Sequence, residues 1–103
     1  MTDLSAAYEA LRADAVRWDE AADALEQPRR ALDGLHLGPP ELSKWAVKAG
    51  LDQTYLQART TMDDMIGKAM ETFRLISQTL WQAADTYERE EEASLHTLKN
   101  TTK

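Results

Sequence analysis

At 103 residues, with no cysteine and a formal charge of −6 at neutral pH, the chain can build one modest core, with no disulfide framework or thiolate metal site to reinforce it. The acidic balance excludes general nucleic-acid binding, which needs a basic surface to displace counterions from phosphates, and it disfavours anionic membranes for the same reason. No apolar run approaches the roughly 20 residues of a spanning helix, and Met1-Thr2-Asp3-Leu4 lacks the basic and apolar regions of a signal peptide, so export is expected to use no cleaved leader.

Thr2 or Asp3 is an acceptable N-cap for a first helix over about residues 3–34. Leu4, Tyr8, Leu11, Ala15, Trp18, Ala22, Leu25 and Leu32 follow a four-three alternation, interrupted only by Arg29, and so form a heptad seam. The other faces mix alanines with Arg12, Asp14, Arg17 and Glu20, a small or charged exterior. Pro28 removes one backbone donor and crowds the preceding turn, which predicts a kink near Glu26 and Gln27.

From about residue 35 to 50 punctuation replaces periodicity. Gly34, Gly38, Pro39 and Pro40 end the first helix, because glycine supplies positive φ and paired prolines cannot continue a helix. A short helical turn through Leu42, Trp45 and Ala46, closed by Gly50, is expected to cap the hairpin end with apolar side chains.

A second helix is predicted over about residues 51–98, a length of roughly 70 Å at 1.5 Å per residue. Its seam reads Tyr55, Met62, Ile66, Ala69, Phe73, Ile76, Leu80, Ala83 and Tyr87, with Arg59 as the charged member. Met65, Met70 and Ala84 widen the apolar face beyond what one partner helix covers, which suits a helix with two neighbours. The predicted fold is therefore all-α: a single-domain antiparallel two-helix hairpin that dimerises into a four-helix bundle. Its core and dimer seam would include Leu11, Trp18, Leu25, Ile66, Phe73, Ile76 and Leu80, with Trp18 and Phe73 buried.

Counting back from the hinge, the first arm covers the second only to about Ala84, so the segment with Tyr87, Glu91 and Leu98 is expected to project. Tyr87 and Glu91 are one helical turn apart, and such i,i+4 spacing puts an aromatic ring and a carboxylate on one face. The run Glu88, Glu90, Glu91, Glu92 reads as a solvated face relieved by Arg89, and its negative charge near a helix C-terminus predicts fraying.

The heptad helix with Trp18, the hinge Gly34-Leu35-His36-Leu37-Gly38-Pro39-Pro40, the second heptad helix and the ending Ala83-Ala84-Asp85-Thr86-Tyr87-Glu88-Arg89-Glu90-Glu91 together resemble the small helical-hairpin proteins of type VII (ESX) secretion systems, the WXG family and its EspC-like relatives. Trp45-Ala46-Val47 stands where the WXG family has Trp-x-Gly, which favours the EspC-like branch or a small partner of a larger exported toxin. The resemblance implies a folded dimer, formed with itself or with another helical hairpin or the helical N-terminal domain of an effector. It also implies secretion without a cleaved signal peptide, with Tyr87 and Glu91 as the Y-x-x-x-[D/E] signal read by a secretion ATPase. A non-exported helical adaptor is the alternative.

Nothing in the sequence points to catalysis or a cofactor. His36 falls in the hinge and His96 near the end, neither with a cysteine or a spaced carboxylate pair to build a metal or nucleophile site around it. Met62, Met65 and Met70 read as core filler.

Overall fold

The computed structural model describes residues 2–35 and 43–101, with side chains from Leu4 onward. These residues hold four helices and no strand: α1 (Thr2–Ala24), α2 (Glu26–Asp33), α3 (Lys44–Lys48) and α4 (Leu51–Thr101). Gly38, Pro39 and Pro40, the centre of the expected hinge, lie outside the described residues, as do His36, Leu37 and Leu42. Packing divides the chain into two compact units, Met1–Ala21 with Thr72–Lys103, and Ala22–Glu71. The heptad pattern, broken only at Arg29 and Arg59, carries no sign of that division.

In the unit Ala22–Glu71 the first arm breaks at Leu25, a residue ahead of the predicted kink. Leu25 keeps helical angles (φ −83°, ψ −13°), and its N–H tightens onto Ala22 O at 3.1 Å. Pro28 thereby falls in the first turn of α2, where its missing N–H would have had no intrahelical acceptor. α2 runs antiparallel to α4: Arg29 Nε donates to Asp63 Oδ1 at 2.9 Å, and Arg59 Nη1 reaches Leu35 O at 3.4 Å.

The end of the first arm thus stands level with Arg59, not with Leu51. α3 and the first two turns of α4 form the return of the chain. Ser43 caps α3 by accepting from the Ala46 N–H at 3.1 Å, and Gly50 adopts φ 81°, a left-handed angle that glycine takes without penalty, before α4 begins. Ala46 turns inward, whereas Trp45 is 74% exposed instead of capping the end.

In the unit of Met1–Ala21 and Thr72–Lys103, α1 and α4 are again antiparallel. Trp18 meets Phe73 with ring centroids 5.1 Å apart and planes at 56°, Arg74 approaches Asp19 at 3.9 Å, and Arg12 binds Asp85 at 3.0 Å and also Glu88. Cover by α1 therefore extends past Ala84, to Glu88. Glu88 and Glu91 are half-buried, and every residue from Glu92 to Thr101 is exposed. The expected fraying in the acidic run is also absent. α4 continues to Thr101 with Lys99 in its last turn, so those carboxylates are interior to the helix and a cation occupies its negative pole.

The most enclosed side chains are small. Ala15, Ala22 and Ala84 are fully buried and Ser77 nearly so, while Trp18 and Phe73, expected to be buried, are only half-buried. The line of closest contact on α4 runs through Ser77 and Ala84, one position on from Ile76 and Ala83 in the predicted seam, with Phe73 and Leu80 beside it. A search for apolar heptads passes over serine, yet a small side chain lets helix axes approach toward the lower end of the usual ~8–10 Å. Among the described residues, no buried side-chain nitrogen or oxygen lacks a hydrogen-bond partner.

Ala84→Leu should therefore lower unfolding free energy by about 1–3 kcal/mol through overpacking. Ala83→Leu, at a half-exposed position, should leave it nearly unchanged. Chemical denaturation of both variants separates this contact line from the apolar seam, which ranks them the other way.

Candidate functional site

Tyr87 and Glu91 lie on α4 four residues apart, a spacing that stacks them on one helix face. Tyr87 is 43% exposed, and Glu91 is half-buried. Tyr87 stands off the contact line because that line passes through Ala84, and the next heptad step along it reaches Glu91.

A charged and aromatic cluster holds the same segment from the other side. Arg12 donates from Nη2 to Asp85 Oδ1 and to Glu88 Oε2, and its Cζ lies 5.2 Å from the Tyr8 ring centroid and 5.9 Å from that of Trp81. Tyr8 is one turn before Arg12 on α1, and Trp81 is one turn before Asp85 on α4, so two i,i+4 pairs on facing helices converge on one guanidinium. Hydrogen bonding to Glu88, then to Asp85, raises the Arg12 pKa above its ordinary value, against a smaller opposing effect of desolvation. A raised pKa means that Arg12's contribution to stability is complete below its unfolded-state value and is lost only as pH rises through the higher folded-state value. The cluster therefore keeps its cation across the neutral and mildly alkaline range.

In the sequence Arg12 reads as part of the charged exterior, and nothing there by itself shows this role. The available signal was the pair of i,i+4 spacings, Tyr8 to Arg12 and Trp81 to Asp85, which become informative only when the register is known. Arg29 and Arg59, the two arginines in seam positions, each find an oxygen in the unit Ala22–Glu71. Room for Arg29 comes from Gly67, where a Cβ would lie 2.8 Å from the guanidinium Nη2. The hydrogen bond to Asp63 and then that carboxylate's charge raise the Arg29 pKa.

The remaining predicted residues are distributed more simply. Leu11, Trp18, Phe73, Ile76 and Leu80 are half-buried in one unit, and Leu25 and Ile66 are half-buried in the other. Gly34 ends α2 with a right-handed φ of −84°, not the positive φ expected of it, and its N–H bonds to Ala31 O at 3.1 Å; Trp45 and Gly50 flank the return described above. Two of the hollows along the helices are lined mainly by charged side chains, whereas one formed by Ala93, Ser94, Thr97, Leu98 and Thr101 carries no charge. Of the charged pair, one of about 330 Å³ is lined by Asp85, Glu88, Arg89 and Glu92, the other of about 240 Å³ by Glu26, Arg29, Arg30, Asp33, Asp63 and Met70. Among the described residues no three histidine, cysteine or acidic side chains are grouped to hold a metal ion, and no helix is long and apolar enough to cross a membrane.

Comparison with known proteins returns no match: no family profile, curated protein or solved structure is significantly similar to this chain.

The Gly67 site makes a direct test of packing by Arg29. In an Arg29→Ala background, Gly67→Ala should stabilise α4 by about 1 kcal/mol, the usual advantage of alanine over glycine inside a helix. With Arg29 present the gain should shrink, since the guanidinium must first move off α4. Thermal or urea unfolding of the four variants in the cycle measures the difference.

Proposed function

We propose that the protein is a substrate of a type VII (ESX-like) secretion system, or the targeting partner of a larger exported effector, and that it travels as a folded helical dimer. The observation that carries this reading is the 43% exposure of Tyr87, an aromatic residue with an acid one turn on, in a helix that runs ten residues past that acid. A secretion ATPase would read Tyr87 and Glu91 as a helical Y-x-x-x-[D/E] signal. The dimer partner would be a second copy, a related hairpin or the helical N-terminal domain of an effector.

Association has its own physical support. Leu32 is the only large apolar side chain in the buried core among the described residues, the others there being alanines. Met62, Met65, Leu75 and Leu98 are each more than half exposed. Burying a side chain of this size stabilises by roughly 1.5–3 kcal/mol, so covering a few of them is comparable to the whole stability of a small domain. Sedimentation at micromolar concentration should show a dimer, or a loosely folded monomer that a co-expressed partner rescues. A cooperative, well-folded lone monomer would contradict this.

The Arg12 cluster favours a second reading, a non-exported helical adaptor in which the acidic segment serves packing alone. Export assays divide the two. Tyr87→Ala and Glu91→Ala should abolish secretion with helix content and dimerisation nearly intact, because Tyr87 is well exposed and Glu91 partly so. Glu92→Ala removes the same charge about 100° round the helix and should leave export unchanged. Equal behaviour of the Glu91 and Glu92 variants would leave the adaptor reading in place.

A further inference from the structure

We infer that Arg12 is a positioning residue for the Tyr87–Glu91 element: by fastening Asp85 and Glu88 to α1 it holds this stretch of α4 helical and turned so that Tyr87 faces outward. The inference rests on the reading of Tyr87 and Glu91 as a recognition element.

The need for such a latch follows from local charge. Asp85 and Glu88 are an i,i+3 pair of like charge, and Glu88 and Glu92 an i,i+4 pair, both of which weaken a helix. Within the turn, Arg89 offers limited help: its Nε lies 3.4 Å from the Asp85 carbonyl oxygen. Compensation comes from across the helix pair, where the Arg12 guanidinium binds both Asp85 and Glu88.

Geometry separates the latch from the element that it would serve. Around α4, Tyr87 stands about 100° from Glu88 and about 160° from Asp85, so the two carboxylates gripped by Arg12 lie on the opposite flank of the contact line from the Tyr87 ring. The grip therefore blocks neither Tyr87 nor access to it, and Tyr87 stays 43% exposed with the latch closed. It does fix the rotation of α4 about its axis. Trp81 adds to that constraint, with its ring centroid 5.9 Å from the guanidinium carbon. A partner that reads an aromatic ring and an acid one turn apart needs the intervening turn intact, since only a helix brings the two onto one face.

The test combines amide hydrogen exchange with export of the full chain from a host carrying a type VII system. Arg12→Ala should speed exchange of amides 85–92 several-fold, leave amides 59–67 unchanged, and reduce export. Tyr87→Ala should block export while those amides keep their protection. The swap of Arg12→Glu with Glu88→Arg restores opposite charges across the helix pair and should recover both protection and export, an outcome that guards against loss of folding in the single variant. Unchanged exchange in Arg12→Ala, or normal export in Arg12→Ala while Tyr87→Ala is blocked, would overturn the latch and leave the signal reading standing. Normal export in both Tyr87→Ala and Glu91→Ala would overturn the signal reading and the positioning role with it.

Discussion

Close approach of paired helices through small side chains is the constraint on which the rest of this structure depends. Ala15, Ala22 and Ala84 are fully enclosed and Ser77 nearly so, and each removes little apolar area from water compared with a leucine or phenylalanine. What they supply is proximity. The larger side chains Trp18 and Phe73 stay partly exposed and meet ring to ring at 5.1 Å. Such a tilted aromatic pair adds about 0.5–1.5 kcal/mol beyond the area that it buries, and that contribution survives partial exposure better than a cavity-filling one would. A contact line of small residues therefore explains both the half-buried aromatics and the apolar surface left for a neighbour.

Because this core is thin, alignment of the helices falls to charge. Arg29 crosses α4 over Gly67 to reach Asp63, and Arg12 reaches Asp85 and Glu88. Exposed ion pairs stabilise little on their own, but they discriminate among registers: sliding one helix by a heptad, about two turns, would leave each guanidinium facing a different set of side chains. Apolar heptads alone repeat every seven residues and tolerate such a slip.

Much of this was legible in the sequence, and the failures have a common origin. Helix identity and the seam of the first arm were readable because apolar residues alternate four and three from Leu4 to Leu32, broken only at Arg29, and the pattern stops at Gly34. The start of the long second helix was readable from Gly50 for the same reason. The register was not, since no periodicity says how much chain the return consumes. In one unit α3 and two turns of α4 take it up, which sets Leu35 level with Arg59; in the other, α1 reaches α4 as far as Glu88. The contact line on α4 also escaped, because Ser77 is invisible to a search for apolar residues and Ala84 reads as the flank of Ala83. Arg12 escaped for a third reason: an arginine beside a seam looks solvated until the residues opposite are known.

That register bears on the two functional readings unequally. If the segment beyond Ala84 projected freely, its acids near Tyr87 would have only Arg89 and water to relieve them, and the helix there would have to survive on local propensity. With Arg12 in place, the turn that carries Tyr87 and Glu91 is anchored by its neighbours and is itself only partly covered. A purely structural role needs the anchor but gives no reason for an aromatic ring to remain outside the contact line, where a small or charged residue would serve as well. Recognition needs both features at once, a rigid backbone underneath and a reachable ring above. Their coincidence at Tyr87 is the physical ground for placing recognition ahead of packing at this turn.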